Sequence, residues 1–140
     1  MRITVFGAAG SAGSRIVTEA LSRGHQVTAV VRNETRYVEL PNEAQKRQGG
    51  ASRIEDVIGQ DLVIAGLAHT QVRLLAIGGA GSLNVADKED TLVVDDTRYV
   101  SPAWRDIAVA CVDQYNVYKA NTETHWTYLS PPAMLLMGER

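Results

Sequence analysis

The sequence begins with a stretch, RITVFGAAGSAGSRIVTEALSRGHQVTAVVRN (residues 2–33), in which short apolar runs flank a helical pattern. The run RITVF (2–6) is rich in β-branched and aromatic residues and ends at a glycine, which predicts a buried strand. Residues 11–24 carry apolar side chains at helical spacing and end in a glycine, as helices often do. HQVTAVVRN (25–33) predicts a second buried strand. Together these segments predict a βαβ unit with two parallel strands and a right-handed crossover.

The turn between the first strand and the helix reads GAAGSAG and places Gly7, Gly10 and Gly13 in G-x-x-G-x-x-G spacing. Glycines at such a turn permit a tight bend, close approach of the backbone to a pyrophosphate, and close packing of helix on strand. The helix N-terminus then directs free N–H groups and partial positive charge at the phosphates. The turn therefore predicts dinucleotide binding, with a purely structural glycine turn as the alternative.

The end of the second strand bears on the choice of cofactor. NAD-binding folds commonly place an acidic residue there, about 20 residues after the glycines, to hold the ribose 2′-hydroxyl. This sequence instead reads VVRNETR, with Arg32, Asn33 and Arg36, and Glu34 stands beyond the expected place. Because a guanidinium binds phosphate with charge-assisted bidentate bonds, NADP(H) is predicted over NAD(H). The alternative is a solvated arginine at a strand end.

The remaining pattern predicts an α/β fold in one domain, 1–140: a Rossmann-like, doubly wound, mostly parallel sheet with flanking helices. Further strands are predicted at 61–68, 73–81 and 125–133, and a short one at 36–40. Helices are predicted at 52–59 and 103–122. Residues 82–102 are predicted to form a long surface loop that contains one short strand at 92–94.

One junction conflicts with this pattern. Only HTQV separates the apolar runs at 61–68 and 73–81, whereas a parallel crossover needs a dozen or more residues. Either the two runs form a hairpin, or one crossover helix is lacking from this sequence, and we favour the second interpretation.

At this point the residues resemble a known family. MRITVFGAAGSAGSRIVTEALSRGHQVTAVVRN resembles the NAD(P)H-binding branch of the atypical short-chain dehydrogenases/reductases, which includes NmrA-like, NADH-flavin reductase-like and biliverdin reductase B-type proteins. AIGGAGSLNVA and WTYLSPPAMLLMGER are similar to the fifth-strand and sixth-strand motifs of the flavin reductase-like group in particular.

The resemblance implies a set of cofactor-binding residues around the carboxyl ends of the strands, where ligands bind in such sheets. The implied residues are Gly7, Gly10, Ser11, Ala12 and Gly13 at the pyrophosphate; Arg32, with Asn33 beside it, at the 2′-phosphate; Ala65, Gly66 and Leu67 at the adenine and ribose; and Gly78, Gly79, Ala80, Ser130, Pro131 and Pro132 at the nicotinamide.

Tyr115 and Lys119 stand in the Tyr-x-x-x-Lys spacing of short-chain dehydrogenase catalysts. They lie at the far end of the predicted helix, only a short distance before the last strand. Tyr115 also continues an apolar stripe with Trp104, Ile107 and Cys111. The spacing therefore indicates packing rather than proton transfer, and the catalytic residue is unknown. Ser82 is a weak candidate, for which loop capping is the plainer interpretation.

The predicted function is an NADP(H)-dependent oxidoreductase that passes hydride to a flavin or similar small acceptor by positioning the reactants. The alternative is a non-catalytic NADP(H)-binding redox sensor or regulator of the NmrA-like type. A net charge of −2 without a Lys/Arg cluster argues against nucleic acid, and no apolar run approaches a membrane span. The three histidines show no metal spacing, and the single cysteine suits the cytoplasm. We expect a monomer or homodimer.

Overall fold

The computed structural model describes residues 1–49, 63–135 and 138. The chain divides into two compact units, Met1–Asp56 and Val57–Arg140, and each is described by itself. The helix predicted at 52–59 lies outside the described residues. The single domain over 1–140 stays a prediction.

The first unit contains a three-stranded parallel sheet in the order β1–β2–β3. Strand β1 spans Arg2–Phe6, β2 spans Gln26–Val31 and β3 spans Gln45–Gln48, while helix α1, Ser11–Ser22, connects β1 to β2. This connection confirms the predicted βαβ unit. Helix α1 ends where Gly24 adopts a left-handed φ of +74°, with its N–H donating to the Leu21 carbonyl at 2.9 Å.

The core of this unit lies between the sheet and α1. Val17 of α1 is fully buried, as are Ala8 after β1 and Ala29 of β2. Small and β-branched side chains let the helix lie close to the strands, which positions its N-terminus beside the turn that follows β1. The buried members of the cluster are Val5, Ala8, Val17, Ala20, Val27, Ala29, Val31, Leu40 and Ala44.

Between β2 and β3 the structure differs from the prediction. Residues Glu34–Glu39 form a 3₁₀ helix, so the short strand predicted at 36–40 is wrong. The Asn33 side chain accepts a hydrogen bond from the Thr35 N–H at 3.0 Å and caps this helix, a local bond that competes with strand formation. Strand β3 was not predicted because its sequence, QKRQ, carries no apolar alternation, and its backbone pairing with β2 is a tertiary effect.

The second unit contains β4, Arg73–Ile77, paired in parallel with β5, His125–Leu129. Helix α2, Arg105–Ala120, lies between them in the chain and follows a 3₁₀ turn at Pro102–Trp104. The strands predicted at 73–81 and 125–133 and the helix predicted at 103–122 are confirmed with narrower bounds. Among the described helices, none combines the length and apolar character needed to cross a membrane.

The apolar run before β4 is helical at residues 63–67, so the strand predicted at 61–68 is wrong. A short apolar run without glycine or proline breaks fits a buried strand and a helix equally well, and periodicity cannot separate them. A helix leading into β4 needs only a tight turn, which explains the short HTQV connection. The described residues form no hairpin at this junction, and the lack of one crossover element, which the sequence favours, stays consistent with the fold. The fold class is confirmed: parallel strands with flanking helices, short of the full Rossmann pattern.

The segment 82–102 is only partly the surface loop that was predicted. Its regular structure is one antiparallel bridge, Asn84 to Leu92, and a 3₁₀ turn at Val93–Asp95, so the strand predicted at 92–94 is wrong. Val85, Val93, Val94 and Asp96 are buried, and this segment therefore forms part of the second unit's core.

Candidate functional site

The glycine-rich turn after β1 has the conformation that its glycines allow. Gly7 adopts a φ of +67°, in the left-handed region that side chains with a Cβ avoid. The Gly10 N–H donates to the Gly7 carbonyl at 2.9 Å, which closes the turn. The Ala8 N–H donates to the Val30 carbonyl at 3.1 Å and ties the turn to the end of β2.

The turn lies directly against the first residues of α1. A Cβ on Gly13 would collide with the Gly7 carbonyl and stand 2.9 Å from the Ala8 Cα, and a Cβ on Gly10 would stand 3.2 Å from the Gly7 oxygen. No side chain therefore separates the turn from the helix.

The start of α1 leaves donors for an anion. The first intrahelical bond runs from the Ser14 N–H to the Gly10 carbonyl at 2.9 Å. The N–H groups of Ser11, Ala12 and Gly13 precede it and have no helical carbonyl to bind. No acidic residue lies in the first turn of α1. These residues fit a pyrophosphate, because the backbone is accessible there and the helix dipole favours negative charge.

Two arginines follow β2 and differ in their surroundings. Arg32 comes directly after β2, is exposed, and forms no ion pair with any residue in the described ranges. The Arg36 guanidinium binds the Glu39 carboxylate at 2.7 Å and donates to the Ala9 carbonyl of the glycine turn at 2.6 Å. This hydrogen bond to Glu39 raises the pKa of Arg36. The Arg32 guanidinium is thus available to a ligand, whereas the Arg36 guanidinium stabilises the glycine-rich turn through its bond to Ala9. Asn33 uses its side-chain oxygen as the 3₁₀ cap already described.

In the second unit, the carboxyl ends of β4 and β5 lie side by side. The Gly78 N–H, just after β4, donates to the Leu129 carbonyl at 3.0 Å. A Cβ on Gly78 would overlap the Tyr128 ring, and one on Gly79 would stand 3.1 Å from the Cys111 Sγ. Packing from β5 therefore leaves no space for a side chain at Gly78, whereas Gly79 lies in tight contact with α2.

Predicted residues from both strand ends meet at this edge. Ser82, the weak catalytic candidate, closes the 3₁₀ turn Ala80–Ser82 after β4, and Ser130 directly follows β5. Their Oγ atoms lie 3.1 Å apart in a hydrogen bond. Pro131 and Pro132 continue the chain, the first partly buried and the second exposed.

Ala65, Gly66 and Leu67 lie elsewhere. They belong to the helical residues 63–67, which precede β4. The Ile64 carbonyl accepts a hydrogen bond from the Thr124 hydroxyl at 2.9 Å, just before β5 begins. This helix is therefore at the amino ends of β4 and β5, opposite to Gly78 and Ser130. The adenine and ribose role of these three residues was predicted for the end of a strand, and it stays a prediction that their helical conformation does not support.

The tyrosine of the Tyr-x-x-x-Lys spacing packs in an aromatic cluster. The Tyr115 ring lies 5.3 Å from the Tyr128 ring, and the Lys119 Nζ lies 5.5 Å from the Tyr115 ring centre. Tyr118 is buried and contacts both Tyr128 and Trp126. The cluster gives Tyr115 the packing role that its sequence position indicates.

The apolar stripe predicted on α2 extends less far than expected. Trp104 is 65% exposed and Ile107 is 59% exposed, so these two positions are not core. Cys111 is half-buried, and burial raises the pKa of its thiol. The Cys111 thiol is therefore protonated and unreactive at neutral pH.

Tyr128 is a residue that the sequence reasoning did not single out. Its hydroxyl is 3.0 Å from both the Cys111 carbonyl and the Gln114 side-chain oxygen, and its ring fills the space beside Gly78. Burial raises the pKa of Tyr128 to about 12. The available signal was alternation in HWTYL, which places Trp126 and Tyr128 on the face toward α2.

A charge network in 82–102 was also missed. The Asp96 side chain is 2% exposed and accepts from Lys88 at 2.9 Å and from Arg98 at 2.7 Å. Arg98 also binds Asp87 at 2.7 Å. The hydrogen bonds from Arg98 and then Lys88 hold the pKa of Asp96 well below its ordinary value. Asp96 therefore holds this segment in place through its two ion pairs.

Comparison with known proteins agrees with this geometry. A family described as NAD(P)H-binding matches residues 7–94. The uncharacterized protein YwnB of Bacillus subtilis is 30% identical over 158 aligned positions, which span 95% of this chain and 72% of that protein.

Two solved structures share the fold. One, from Streptococcus pneumoniae and described as a "putative NADH-flavin reductase", has a TM-score of 0.70 and 28% identity over 94% of this chain and 71% of its own. Another, described as a "putative exported protein" from Burkholderia pseudomallei, has a TM-score of 0.77 and 29% identity over 100% of this chain and 76% of its own.

The family match confirms a nicotinamide cofactor and the oxidoreductase class at that general level. The chain belongs to the NAD(P)H-binding family of atypical short-chain dehydrogenases/reductases.

Proposed function

We propose that this protein is an NADP(H)-dependent oxidoreductase in which bound NADPH supplies hydride to a flavin or a similar small acceptor. The observation that carries the cofactor choice is the exposed Arg32 guanidinium after β2, without an ion-pair partner among the described residues. The same strand end lacks the acidic side chain that would hold a ribose 2′-hydroxyl and repel a 2′-phosphate. The name of the Streptococcus pneumoniae protein supports the choice of acceptor.

The residues of the second unit support a reaction in which the protein orients NADPH and the acceptor and supplies no proton itself. The phenol of Tyr128 is bound to groups on α2 and is protonated at neutral pH, and Tyr115 packs against it. A flavin accepts hydride at a ring nitrogen, so two correctly stacked rings need no strong acid from the protein.

The test of turnover is stopped-flow oxidation of NADPH with and without FMN. We expect FMN to accelerate the loss of NADPH absorbance at catalytic protein concentration. Tight NADPH binding without any acceleration by FMN would contradict the reductase and support the alternative, a non-catalytic NADP(H)-binding sensor. The observation that favours this alternative is that Tyr115 and Tyr128 are packed or hydrogen-bonded within the protein, so neither is placed to donate a proton to a substrate.

The test of cofactor choice is Arg32→Ala, followed by titration with NADPH and NADH. Loss of a charge-assisted phosphate contact should weaken NADPH binding roughly tenfold to a hundredfold and leave NADH binding nearly unchanged. Arg23→Ala is the matched control, since it removes an arginine near the other end of α1 that pairs with Glu19. Equal losses for both cofactors would contradict the assignment of Arg32.

The cytoplasmic location and the monomeric or homodimeric state remain part of the proposal. They are checked by cell fractionation and by sedimentation of the purified chain.

A further inference from the structure

The Ala9–Gly10 peptide group of the glycine-rich turn is held by hydrogen bonds on both of its sides. The Gly10 N–H donates to the Gly7 carbonyl at 2.9 Å, and the Ala9 carbonyl accepts from the Arg36 guanidinium at 2.6 Å. Because the C=O and N–H of a trans peptide point in opposite directions, these two bonds together fix the rotation of the peptide group. All of these residues belong to the unit Met1–Asp56.

This peptide group determines how helix α1 begins. Gly10 is the N-cap residue of α1, and among the described residues no side chain caps the helix there. A rotation of the peptide group would therefore move the N–H groups of Ser11, Ala12 and Gly13, which precede the first intrahelical bond. It would also turn the Ala9 carbonyl oxygen, and an oxygen that faced a phosphate would repel it, whereas the N–H groups attract it.

Glu39 sets the direction of the Arg36 guanidinium. The Nε and Nη2 atoms of Arg36 donate to the two carboxylate oxygens of Glu39 at 2.8 and 2.7 Å. This bidentate pair uses the Nε proton and one Nη2 proton, so the second Nη2 proton is the one that reaches the Ala9 carbonyl. Both side chains are about half exposed, so the ion pair by itself contributes little to stability. Its effect is to orient the guanidinium.

We propose that Arg36 is a positioning residue for the pyrophosphate of the cofactor. It fixes the Ala9–Gly10 peptide group and so keeps the first N–H groups of α1 directed at the phosphates. Arg36 acts through the turn and does not bind the cofactor, whereas Arg32 is assigned to the 2′-phosphate. This inference rests on dinucleotide binding in the proposed function, and it is independent of the cofactor choice and of the acceptor. Because NADPH and NADH share the pyrophosphate, Arg36 contributes equally to the binding of both.

The test separates the pyrophosphate from the 2′-phosphate. The ligands are NADPH, NADH and 2′-AMP, which carries the 2′-phosphate and lacks the pyrophosphate. Their binding is measured by calorimetry, or by NMR titration where it is weak, for the wild type, Arg36→Ala, Arg36→Lys and Glu39→Gln. Arg32→Ala is the contrasting variant. Arg23→Ala is the matched control, because it removes an exposed, ion-paired arginine at the C-terminal end of α1.

We expect Arg36→Ala to weaken NADPH and NADH binding by the same factor, about three- to tenfold, and to leave 2′-AMP binding unchanged. Arg36→Lys should recover part of the affinity, because an ammonium can still donate to the Ala9 carbonyl. Glu39→Gln should weaken binding by about twofold at most, since the bond from Arg36 to Ala9 remains. Arg32→Ala should show the opposite pattern, a loss for NADPH and 2′-AMP alone.

A spectroscopic measurement on the ligand-free protein checks the route through the turn. The Gly10 amide resonance reports on the same peptide group whose carbonyl binds Arg36. It should shift clearly in Arg36→Ala and less in Glu39→Gln.

Three results would overturn the inference alone. The first is unchanged binding of both cofactors in Arg36→Ala. The second is a loss confined to NADPH and 2′-AMP, which would make Arg36 a second ligand of the 2′-phosphate. The third is an equal loss in Arg36→Ala and Glu39→Gln, which would assign the effect to the 3₁₀ helix that contains both residues. A wild-type protein that binds neither NADPH nor NADH would instead contradict the proposed function, and this inference with it.

Discussion

At Gly13, the glycine-rich turn after β1 leaves no space for a side chain. Its missing Cβ lets the Gly7 carbonyl and the Ala8 Cα lie against α1, and any side chain would force the turn and the helix apart. Gly66, in contrast, has no atom within 4 Å of the place where a Cβ would stand. The two glycines look alike as letters, and only the packing distinguishes their roles.

We expect Gly13→Ala to lower NADPH affinity at least tenfold and to destabilise the fold by about 1–3 kcal/mol, because the added methyl group has no space. Gly66→Ala is the matched control. It should leave NADPH binding unchanged and be neutral or slightly stabilising, since Ala is the better helix former. Titration with NADPH and thermal unfolding of both variants check this. A binding loss in Gly66→Ala would restore the adenine role that its helical position argues against.

The segment 82–102 shows how an element with little regular secondary structure is held in place. Asp96 is buried and binds two cations, whereas its neighbour Asp95 is half exposed and pairs with Arg105 at 2.9 Å. A buried carboxylate is tolerated only when its charge is compensated, so removing that charge leaves Lys88 and Arg98 without their shared partner. Exposed pairs such as Asp95–Arg105 contribute little.

We expect Asp96→Asn to lower the thermal unfolding midpoint at pH 7 clearly more than Asp95→Asn does. The pKa of Asp96 is lower in the folded than in the unfolded chain, so its stabilisation is complete well above the ordinary value of 3.8 and is lost as pH falls below it. The difference between wild type and Asp96→Asn should therefore shrink between pH 5 and about pH 2. Unfolding scans across this range measure it, and a difference that grows in acid would refute the role of the network.

At the scale of the whole chain, a single domain and two separate compact units predict different numbers of unfolding transitions. A chain of 140 residues lies within the usual size of one domain. A single domain implies one cooperative transition, and a ligand that binds only the folded state shifts all of it.

We expect one calorimetric transition, stabilised by about 2.7 kcal/mol when NADP⁺ is present at a hundred times its dissociation constant. NADH at the same concentration should shift it less, because it lacks the 2′-phosphate. Two transitions, of which NADP⁺ moves only one, would show that Met1–Asp56 and Val57–Arg140 unfold separately and would reject the single domain.

Local sequence was sufficient for the βαβ unit, the glycine turn, α2 and the strands β4 and β5. In each case, periodicity and turn residues agree with the fold, because one face of each element must be buried and glycine alone suits the turn. The same local signal failed at 63–67, where an apolar run fits helix and strand alike, and at β3, where a polar segment joins a sheet through backbone bonds.

The tertiary structure alone decided which polar side chains act together. Ser82 and Ser130 are 48 positions apart, and the Asp96 network draws on three other residues of one segment. The spacing of residues in the sequence does not predict such contacts, since they depend on how strand ends and loops meet in space. The NAD(P)H-binding family could be inferred from the chain itself, because phosphate binding relies on backbone groups at a turn whose glycines are visible as letters. Side-chain pairing became visible only once the chain was folded.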